Sequence, residues 1–263
     1  MREVLSALNE WWSRLSFAAV LLGIAGAAGS VLFVGGGVAV HPGHVDAGGA
    51  GVTRTVRAAT STGRQGAYYL PSGYESGSSP LMVILHGTGG KGSLMLLRVQ
   101  ALAEREGFIA LAPDSSSPSG SWTVGHGSDD VTEDYRHVMS CAREVLAVPG
   151  VRIDAERVLV AGFSVGGSVA ASLASREILF TALAALHGHI VPTTLGPRRP
   201  RAWVSTGDRD RTRSVESMKV VSDLLGQVGF ARVEFRVFRV DHALGDEEVG
   251  ALVAWWLARP LRG

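Results

Sequence analysis

The sequence has 263 residues, of which 46% are hydrophobic and 19% are charged, and its formal net charge is +1 at pH 7. This length and composition allow one domain with a sizeable buried core, with or without an additional segment. The small net charge, and the lack of a basic run interleaved with aromatic residues, argue against a nucleic-acid-binding protein.

The N-terminal part of the chain contains a long uncharged segment. After a polar N-terminal segment, residues 1–15, residues 16–40 carry no charge and as a helix would span a hydrocarbon core of about 30 Å. Arg2 and Arg14 favour an orientation with the N-terminus inside. The small residues Ala25-Gly26-Ala27 are instead typical of a signal-peptide cleavage site. We expect a membrane anchor or a signal peptide, with a soluble extension as the remaining alternative.

Either of the first two interpretations places the rest of the chain outside the cytoplasm, in the cell envelope or secreted. Residues 41–52 are rich in glycine, which is typical of a flexible linker. Residues 53–263 are then predicted to form a single domain.

From residue 53 onward, short apolar runs alternate with amphipathic segments. The runs predicted to be strands are 67–70, 81–85, 108–112, 157–161, 182–186, 202–206 and 233–238. The segments predicted to be helices are about 92–106, 130–147, 165–176, 214–228 and 246–258. This alternation predicts an α/β fold in which helices flank a mostly parallel sheet. Ligand sites in such sheets lie at the carboxyl ends of the strands.

The single cysteine, Cys141, falls in one of these helices and is expected to be a buried, inert thiol.

A short motif lies directly after one of the buried strands. Gly162-Phe163-Ser164-Val165-Gly166 matches G-x-S-x-G, although 34 glycines in the chain make an accidental match plausible. A nucleophile elbow requires a strand before the serine, a helix after it and little bulk at the flanking positions. All three conditions are met, so Ser164 is the predicted nucleophile. The alternative is a glycine-rich turn whose serine only caps the helix.

A serine nucleophile needs a general base and a group that orients the base. In this type of fold the chain order is serine, acid, histidine. His242, which follows the last predicted strand, is the predicted base. The acid is expected after strand 202–206, where Asp208 and Asp210 compete. We favour Asp210, because the loop at its position can turn the side chain back toward His242.

Acyl transfer also needs backbone N–H groups that stabilise an oxyanion. The first donor is expected from Val165, the residue after the nucleophile, and the second from the loop His86–Gly90, where Thr88 is the candidate. No metal-ligand pattern such as C-x-x-C or H-E-x-x-H occurs in the sequence, so no metal site is predicted.

Two further residues are candidates for the substrate pocket. Trp122 lies in the long loop 115–127 and either forms a wall of the pocket or only fills the loop. His187 follows strand 182–186 and either lines the pocket or is an ordinary polar residue at a strand end. The stretch 188–201 is too short for a large lid domain, which predicts an open pocket.

These motifs resemble those of the α/β-hydrolases. More narrowly, they resemble the esterase family that includes polyhydroxybutyrate depolymerases, feruloyl esterases and acetylxylan esterases. The segments that carry the resemblance are 69–74, 80–90, 153–158, 162–167 and 241–244. The resemblance covers roughly residues 60–260 and implies the α/β-hydrolase fold without a cofactor. It assigns the same roles as above to Ser164, Asp210, His242, Thr88 and Val165.

The sequence therefore predicts a serine esterase that cleaves carboxylic esters through an acyl-enzyme intermediate. Its expected partners are a small or medium ester, or a polyester fragment, and the membrane through residues 16–40. Polymer-degrading relatives often carry an additional binding domain, and many secreted relatives carry disulfides. Neither is visible here, which favours modest-sized esters. The alternatives are a serine peptidase of the prolyl-oligopeptidase type and a non-catalytic envelope binding protein on a hydrolase scaffold.

Overall fold

The computed structural model describes residues 51–124 and 131–258, and the architecture below refers to these residues. The strands are β1 (Val52–Thr55), β2 (Gly66–Leu70), β3 (Ser79–Leu85), β4 (Ile109–Pro113), β5 (Ile153–Phe163), β6 (Ala182–Leu186), β7 (Arg201–Gly207) and β8 (Ala231–Phe238). The α-helices are α1 (Gly92–Glu106), α2 (Glu133–Leu146), α3 (Val165–Arg176), α4 (Val215–Val228) and α5 (Asp246–Leu257). A short 3-10 helix spans Tyr74–Ser76.

The strands form one eight-stranded sheet in the order β1-β2-β4-β3-β5-β6-β7-β8. The pairs β1–β2 and β2–β4 are antiparallel, and every pair from β4 through β8 is parallel. The predicted α/β-hydrolase fold, with its mostly parallel sheet between helices, is thus confirmed.

Both faces of the sheet are covered by helices, because the central strands are apolar on both sides. All residues of β3, β4 and β6 are buried. Helices α2, α3 and α4 pack on one face, and α1 and α5 pack on the other. A strand enclosed in this way reads as a continuous apolar run, which is why these strands could be predicted.

The parallel register places the ends of neighbouring strands side by side. Leu85 of β3 pairs with Gly162 of β5, and Phe163 pairs with Leu186 of β6, which pairs with Ser205 of β7. The residues that follow these strands therefore meet at one edge of the sheet. This edge is the one where the sequence predicts the site.

Strand β1 was not predicted. All four of its residues are exposed at the edge of the sheet, and an exposed edge strand has no alternation of apolar and polar residues to reveal it. Strand β5 is longer than predicted, because its first residues are mixed polar and apolar and are not buried, so they do not continue the apolar run. Between β6 and β7, residues 187–200 form neither helix nor strand, so the prediction that there is no large lid domain is confirmed.

The predicted anchor or signal peptide at 16–40, and most of the linker at 41–52, lie outside the described residues. Among the helices that are described, none has both the length and the apolar character needed to cross a membrane.

Cys141 is buried, and burial raises the pKa of its thiol to about 12, which agrees with the expected inert thiol.

Candidate active site

Ser164 lies at a sharp turn between β5 and α3. Its backbone has φ 54° and ψ −121°, and its side chain makes no capping hydrogen bond to the helix. Its Oγ instead lies 3.0 Å from Nε2 of His242. A positive φ is sparsely populated for residues other than glycine, so the turn holds Ser164 in a strained conformation. The hydroxyl is thereby directed toward an imidazole rather than toward the helix end.

The glycines beside Ser164 allow this turn to form. A Cβ atom at Gly162 would lie 2.2 Å from the carbonyl oxygen of Gly166. A Cβ atom at Gly166 would lie 2.4 Å from the carbonyl oxygen of His86. Backbone atoms at these distances cannot move aside as a flexible side chain could. Only glycine fits at both positions, which is what an elbow requires.

His242 connects Ser164 to Asp210. It follows β8, and its Nδ1 lies 2.8 Å from Oδ2 of Asp210. When Nδ1–H donates to this carboxylate, Nε2 carries the lone pair that accepts the hydroxyl proton of Ser164. Asp210 is 5% exposed, whereas Asp208 is exposed. Of the two candidate acids, Asp210 is therefore the one that the loop turns inward.

Asp210 is held in place by four N–H groups. Its Oδ1 accepts from the backbone N–H groups of Thr212 and Arg213, each at 2.8 Å. Its Oδ2 faces the Nδ1 atoms of His242 and His187, at 2.8 and 2.6 Å. Burial by itself would raise the pKa of Asp210, but the hydrogen bonds from His187 and His242 outweigh it and hold the pKa below the ordinary value. Asp210 is thus a carboxylate at neutral pH.

The imidazole of His242 is neutral under the same conditions. Burial lowers the pKa of His242 below the ordinary histidine value, and the hydrogen bond to Asp210 offsets only part of this effect. The nearby charges of His187 and Arg213 lower it further. A neutral imidazole can accept a proton, so His242 has the protonation state that a general base needs.

The loop after β3 lies against the elbow. A Cβ atom at Gly87 would lie 2.8 Å from the ring of Phe163 and 3.4 Å from Cβ of Ser164. Thr88 is the next residue and is exposed, and Val165 is the first residue of α3. Val165 thus directly follows Ser164, and Thr88 follows the glycine that lies against it, while their role as oxyanion donors remains a prediction.

This loop is supported from within by Trp122. The indole Nε1–H of Trp122 donates to the carbonyl oxygen of His86 at 2.6 Å, and the two rings lie 4.8 Å apart. The imidazole of His86 is fixed as well, since its Nδ1–H donates to the carbonyl oxygen of Gly87 and its Nε2 accepts from the backbone N–H of Ser115. Trp122 is 4% exposed. The sequence left two roles open for Trp122, and this buried position favours the second, in which Trp122 fills the loop rather than forming a wall of the pocket.

His187 lies behind the acid rather than at an open surface. It is 0% exposed, and its Nε2 lies 3.4 Å from Oε2 of Glu248. The other oxygen of Glu248 accepts from the hydroxyl of Ser205 at 2.5 Å. Sequence reasoning did not identify Glu248. A signal was available, because this residue is four positions before the buried Leu252 and thus falls on the inner face of α5.

The imidazoles of His187 and His242 and the carboxylate of Asp210 also offer three possible metal-ligand atoms within 4.8 Å of one another. However, both Nδ1 atoms lie at hydrogen-bond distance from the same oxygen of Asp210. This arrangement is satisfied by protons on nitrogen. We therefore describe the group as a hydrogen-bonded chain.

The family model described as esterase PHB depolymerase matches residues 65–197. This segment contains Ser164 and the His86–Gly90 loop, while Asp210 and His242 lie beyond it. Among curated proteins, no sequence matches the chain significantly.

Solved structures share the fold at low sequence identity. An acetyl xylan esterase from Aspergillus awamori superposes with a TM-score of 0.63 at 16% identity, covering 78% of this chain and 99% of that one. A fluorophosphonate-binding serine hydrolase of Staphylococcus aureus gives 0.60 at 12% identity, covering 80% and 100%. A ferulic acid esterase from Anaeromyces mucronatus gives 0.55 at 17% identity, covering 80% and 90%.

Proposed function

Since the chain belongs to the esterase PHB depolymerase family and is thus a carboxylic ester hydrolase, we propose that Ser164, His242 and Asp210 are its catalytic triad. The observation that carries this proposal is the continuous chain of hydrogen bonds from Ser164 Oγ through His242 to Asp210, at 3.0 and 2.8 Å. Nucleophilic acyl transfer requires a carboxylate, a neutral imidazole and a serine hydroxyl in this order. Here the carboxylate is buried, and the serine hydroxyl is not used to cap the helix.

In the first half of the reaction, His242 Nε2 takes the hydroxyl proton while Ser164 Oγ bonds to the ester carbonyl carbon. The carbonyl π electrons move to oxygen, and the N–H groups of Thr88 and Val165 are proposed to stabilise this oxyanion. The positive end of α3 lies at the same place and favours the negative charge. The intermediate then breaks its bond to the alcohol oxygen, which receives the proton from His242, and Ser164 is left acylated.

In the second half, water attacks the acyl-enzyme. His242 takes a proton from the water as its oxygen bonds to the acyl carbon. The bond to Ser164 Oγ then breaks, the proton returns to that oxygen, and the acid is released. Asp210 keeps its negative charge throughout and stabilises the imidazolium that forms twice.

We propose a small or medium ester, or a polyester fragment, as the substrate. Ser164 is only partly buried, and the short segment between β6 and β7 leaves the carboxyl edge of the sheet without a large lid. The acetyl xylan esterase and ferulic acid esterase that share the fold make acetyl and aryl esters the first substrates to test.

The proposed location is the cell envelope, with the esterase domain outside the cytoplasm. It rests on the sequence of residues 16–40 alone. Alkaline phosphatase needs disulfides that form only in an oxidising compartment, so a fusion after residue 52 should be active. An inactive fusion would contradict this location.

Turnover of p-nitrophenyl acetate and butyrate by the full-length chain tests the triad. We expect Ser164→Ala to abolish both hydrolysis and labelling by a fluorophosphonate probe. Ser168→Ala is the matched control, since this buried serine lies in α3, four residues after Ser164, and its hydroxyl has no hydrogen-bond partner among the described residues. Full activity of Ser164→Ala would refute the triad. Turnover of aminoacyl-naphthylamides instead of esters would favour a peptidase.

A further inference from the structure

The triad acid is shared by two histidines. Both His242 Nδ1 and His187 Nδ1 face the same oxygen of Asp210, and the two rings lie 5.5 Å apart, edge to face. The triad described above uses only one of them. His187 is fully buried, and its ring nitrogens face Asp210 and Glu248 rather than the hydroxyl of Ser164, so its place in the reaction needs a separate explanation.

The other nitrogen of His187 faces a second carboxylate. Its Nε2 lies 3.4 Å from Oε2 of Glu248, and Glu248 is 0% exposed. A neutral imidazole carries only one N–H, so one of its nitrogens would direct a lone pair at a buried carboxylate oxygen. Such a contact is repulsive and costly where water is excluded. A ring that carries both protons satisfies both carboxylates.

We propose that His187 is an imidazolium that bridges Asp210 and Glu248, and that it is a positioning residue which tunes the triad base through the shared carboxylate. The inference rests on the proposed function, because it assigns His187 a role in the same reaction. It adds to the triad a second, buried ion pair, formed by His187 and Glu248.

The surroundings of His187 favour this cation. Burial lowers the pKa of His187, but the hydrogen bonds to Glu248 and Asp210 outweigh it and raise the pKa above the ordinary value. Glu248 lies in the first turn of α5, where the helix dipole favours a negative charge. The other titratable groups near the cluster are His242, whose ring is neutral, and the Arg213 guanidinium. The elbow contributes only the uncharged ring of Phe163, whose centroid lies 5.3 Å from that of the His187 ring.

A cation at His187 has two effects on His242. Its positive charge, on a ring 5.5 Å from that of His242, disfavours a second positive charge there and so lowers the pKa of His242. The base therefore stays neutral, and able to accept a proton, at a lower pH. The second N–H on Oδ2 also fixes the orientation of Asp210, and with it the orientation of the His242 ring.

The first variant removes the charge and keeps the hydrogen bond. His187 has φ 54°, and asparagine tolerates this left-handed region better than other residues with a side chain. In His187→Asn, the amide N–H replaces Nδ1–H opposite Asp210. We expect the acid limb of the pH profile of kcat/KM to move to higher pH by about half a unit. Most of kcat at the optimum should be retained.

The second variant also removes the positive charge at His187, but by changing its partner Glu248. In Glu248→Gln, the amide accepts from Ser205 and donates to His187 Nε2, which converts His187 to a neutral ring. Among the described residues, Glu248 is hydrogen-bonded to His187 and Ser205 and not to His242, whereas the His187 ring lies 5.5 Å from that of His242. Loss of the nearer cation therefore dominates, and the acid limb again moves to higher pH. His189→Asn is the control, because burial lowers the pKa of His189 to about 3 and its replacement removes no charge.

A structural role alone would give a different result. His187→Ala loses both the charge and the hydrogen bond, and kcat should fall about tenfold, with recovery in His187→Asn. If both His187→Asn and Glu248→Gln lower thermal stability but leave the acid limb in place, the pair only satisfies a buried carboxylate and the proposal is overturned.

Nitrogen-15 spectra of histidine in the full-length wild-type chain test the protonation state without turnover. The signals of His187 are those missing from His187→Asn, or those that move in Glu248→Gln if the first variant does not fold. We expect both ring nitrogens to carry protons near pH 7. One unprotonated ring nitrogen would overturn the proposal. These spectra report the protonation of His187 and do not depend on whether Ser164 is the nucleophile. The activity of Ser164→Ala therefore tests the triad, and the spectra test this inference separately.

Discussion

His242 Nε2 lies 3.0 Å from Ser164 Oγ, although the two residues are 78 positions apart in the chain. They meet because Ser164 follows β5 and His242 follows β8, and both strands end at the same edge of a parallel sheet. The geometry of this contact depends on the acid, the elbow and the loop after β3, and each of these can be tested.

The first prediction separates the two aspartates of the loop after β7. Asp210→Asn should lower kcat for p-nitrophenyl acetate by about a thousandfold or more, because an amide cannot keep His242 in the tautomer that accepts the serine proton. Asp208→Asn is the matched control and should stay within about twofold, since its side chain is exposed. A large loss in Asp208→Asn with little in Asp210→Asn would reverse the assignment.

The second prediction concerns Trp122 beneath the oxyanion loop. Trp122→Phe removes the N–H that holds the carbonyl of His86 and leaves the aromatic packing largely in place. We expect kcat to fall about tenfold with little change in KM, because the loop then holds the proposed oxyanion donor, Thr88, less firmly.

Trp256→Phe is the control for Trp122. It also removes a buried indole N–H, but one without a hydrogen-bond partner among the described residues. Its stability should fall while its kcat remains that of the wild type. Equal losses of kcat in both variants would show that the effect comes from general loosening of the core.

Parts of this site could be predicted from the sequence because strand order and motif spacing determine which residues follow which strand. Ser164, Asp210 and His242 were chosen on that basis, and the structure brings them within hydrogen-bond distance. Their catalytic roles remain proposals. The pairing of His187 with Glu248 could not be predicted. The spacing of Glu248 and Leu252 indicates the inner face of α5, but the left-handed backbone at His187, which directs its ring toward Glu248, leaves no pattern in the sequence.

The third prediction tests the backbone at the elbow. Gly162→Ala should lower the free energy of unfolding by several kcal/mol, or abolish activity by displacing Ser164, because the added Cβ would meet backbone atoms. Gly250→Ala in α5 is the control. A Cβ atom there has nothing within 4 Å, so the helix should gain about 0.5–1 kcal/mol. Denaturant unfolding and esterase activity measure both outcomes. A Gly162→Ala protein that is as stable and active as the wild type would contradict the elbow geometry.

The fourth prediction concerns the stability of the fold in acid, through His189. Burial lowers its pKa in the folded state to about 3, whereas the unfolded chain should protonate near the ordinary value of about 6.5. Between these values the unfolded state binds the proton and the folded state does not, so stability must fall as the pH falls. The slope from this residue is at most about 1.4 kcal/mol per pH unit.

His189→Asn removes this proton and should flatten the fall in stability between about pH 6 and pH 4. Chemical denaturation of the full-length wild type and the variant at matched pH values gives the two slopes. The Asp and Glu side chains are the same in both proteins and contribute equally to both slopes, so the difference between the slopes is due to His189. If the slopes of the wild type and His189→Asn coincide, His189 titrates normally in the folded protein, and burial does not keep it neutral.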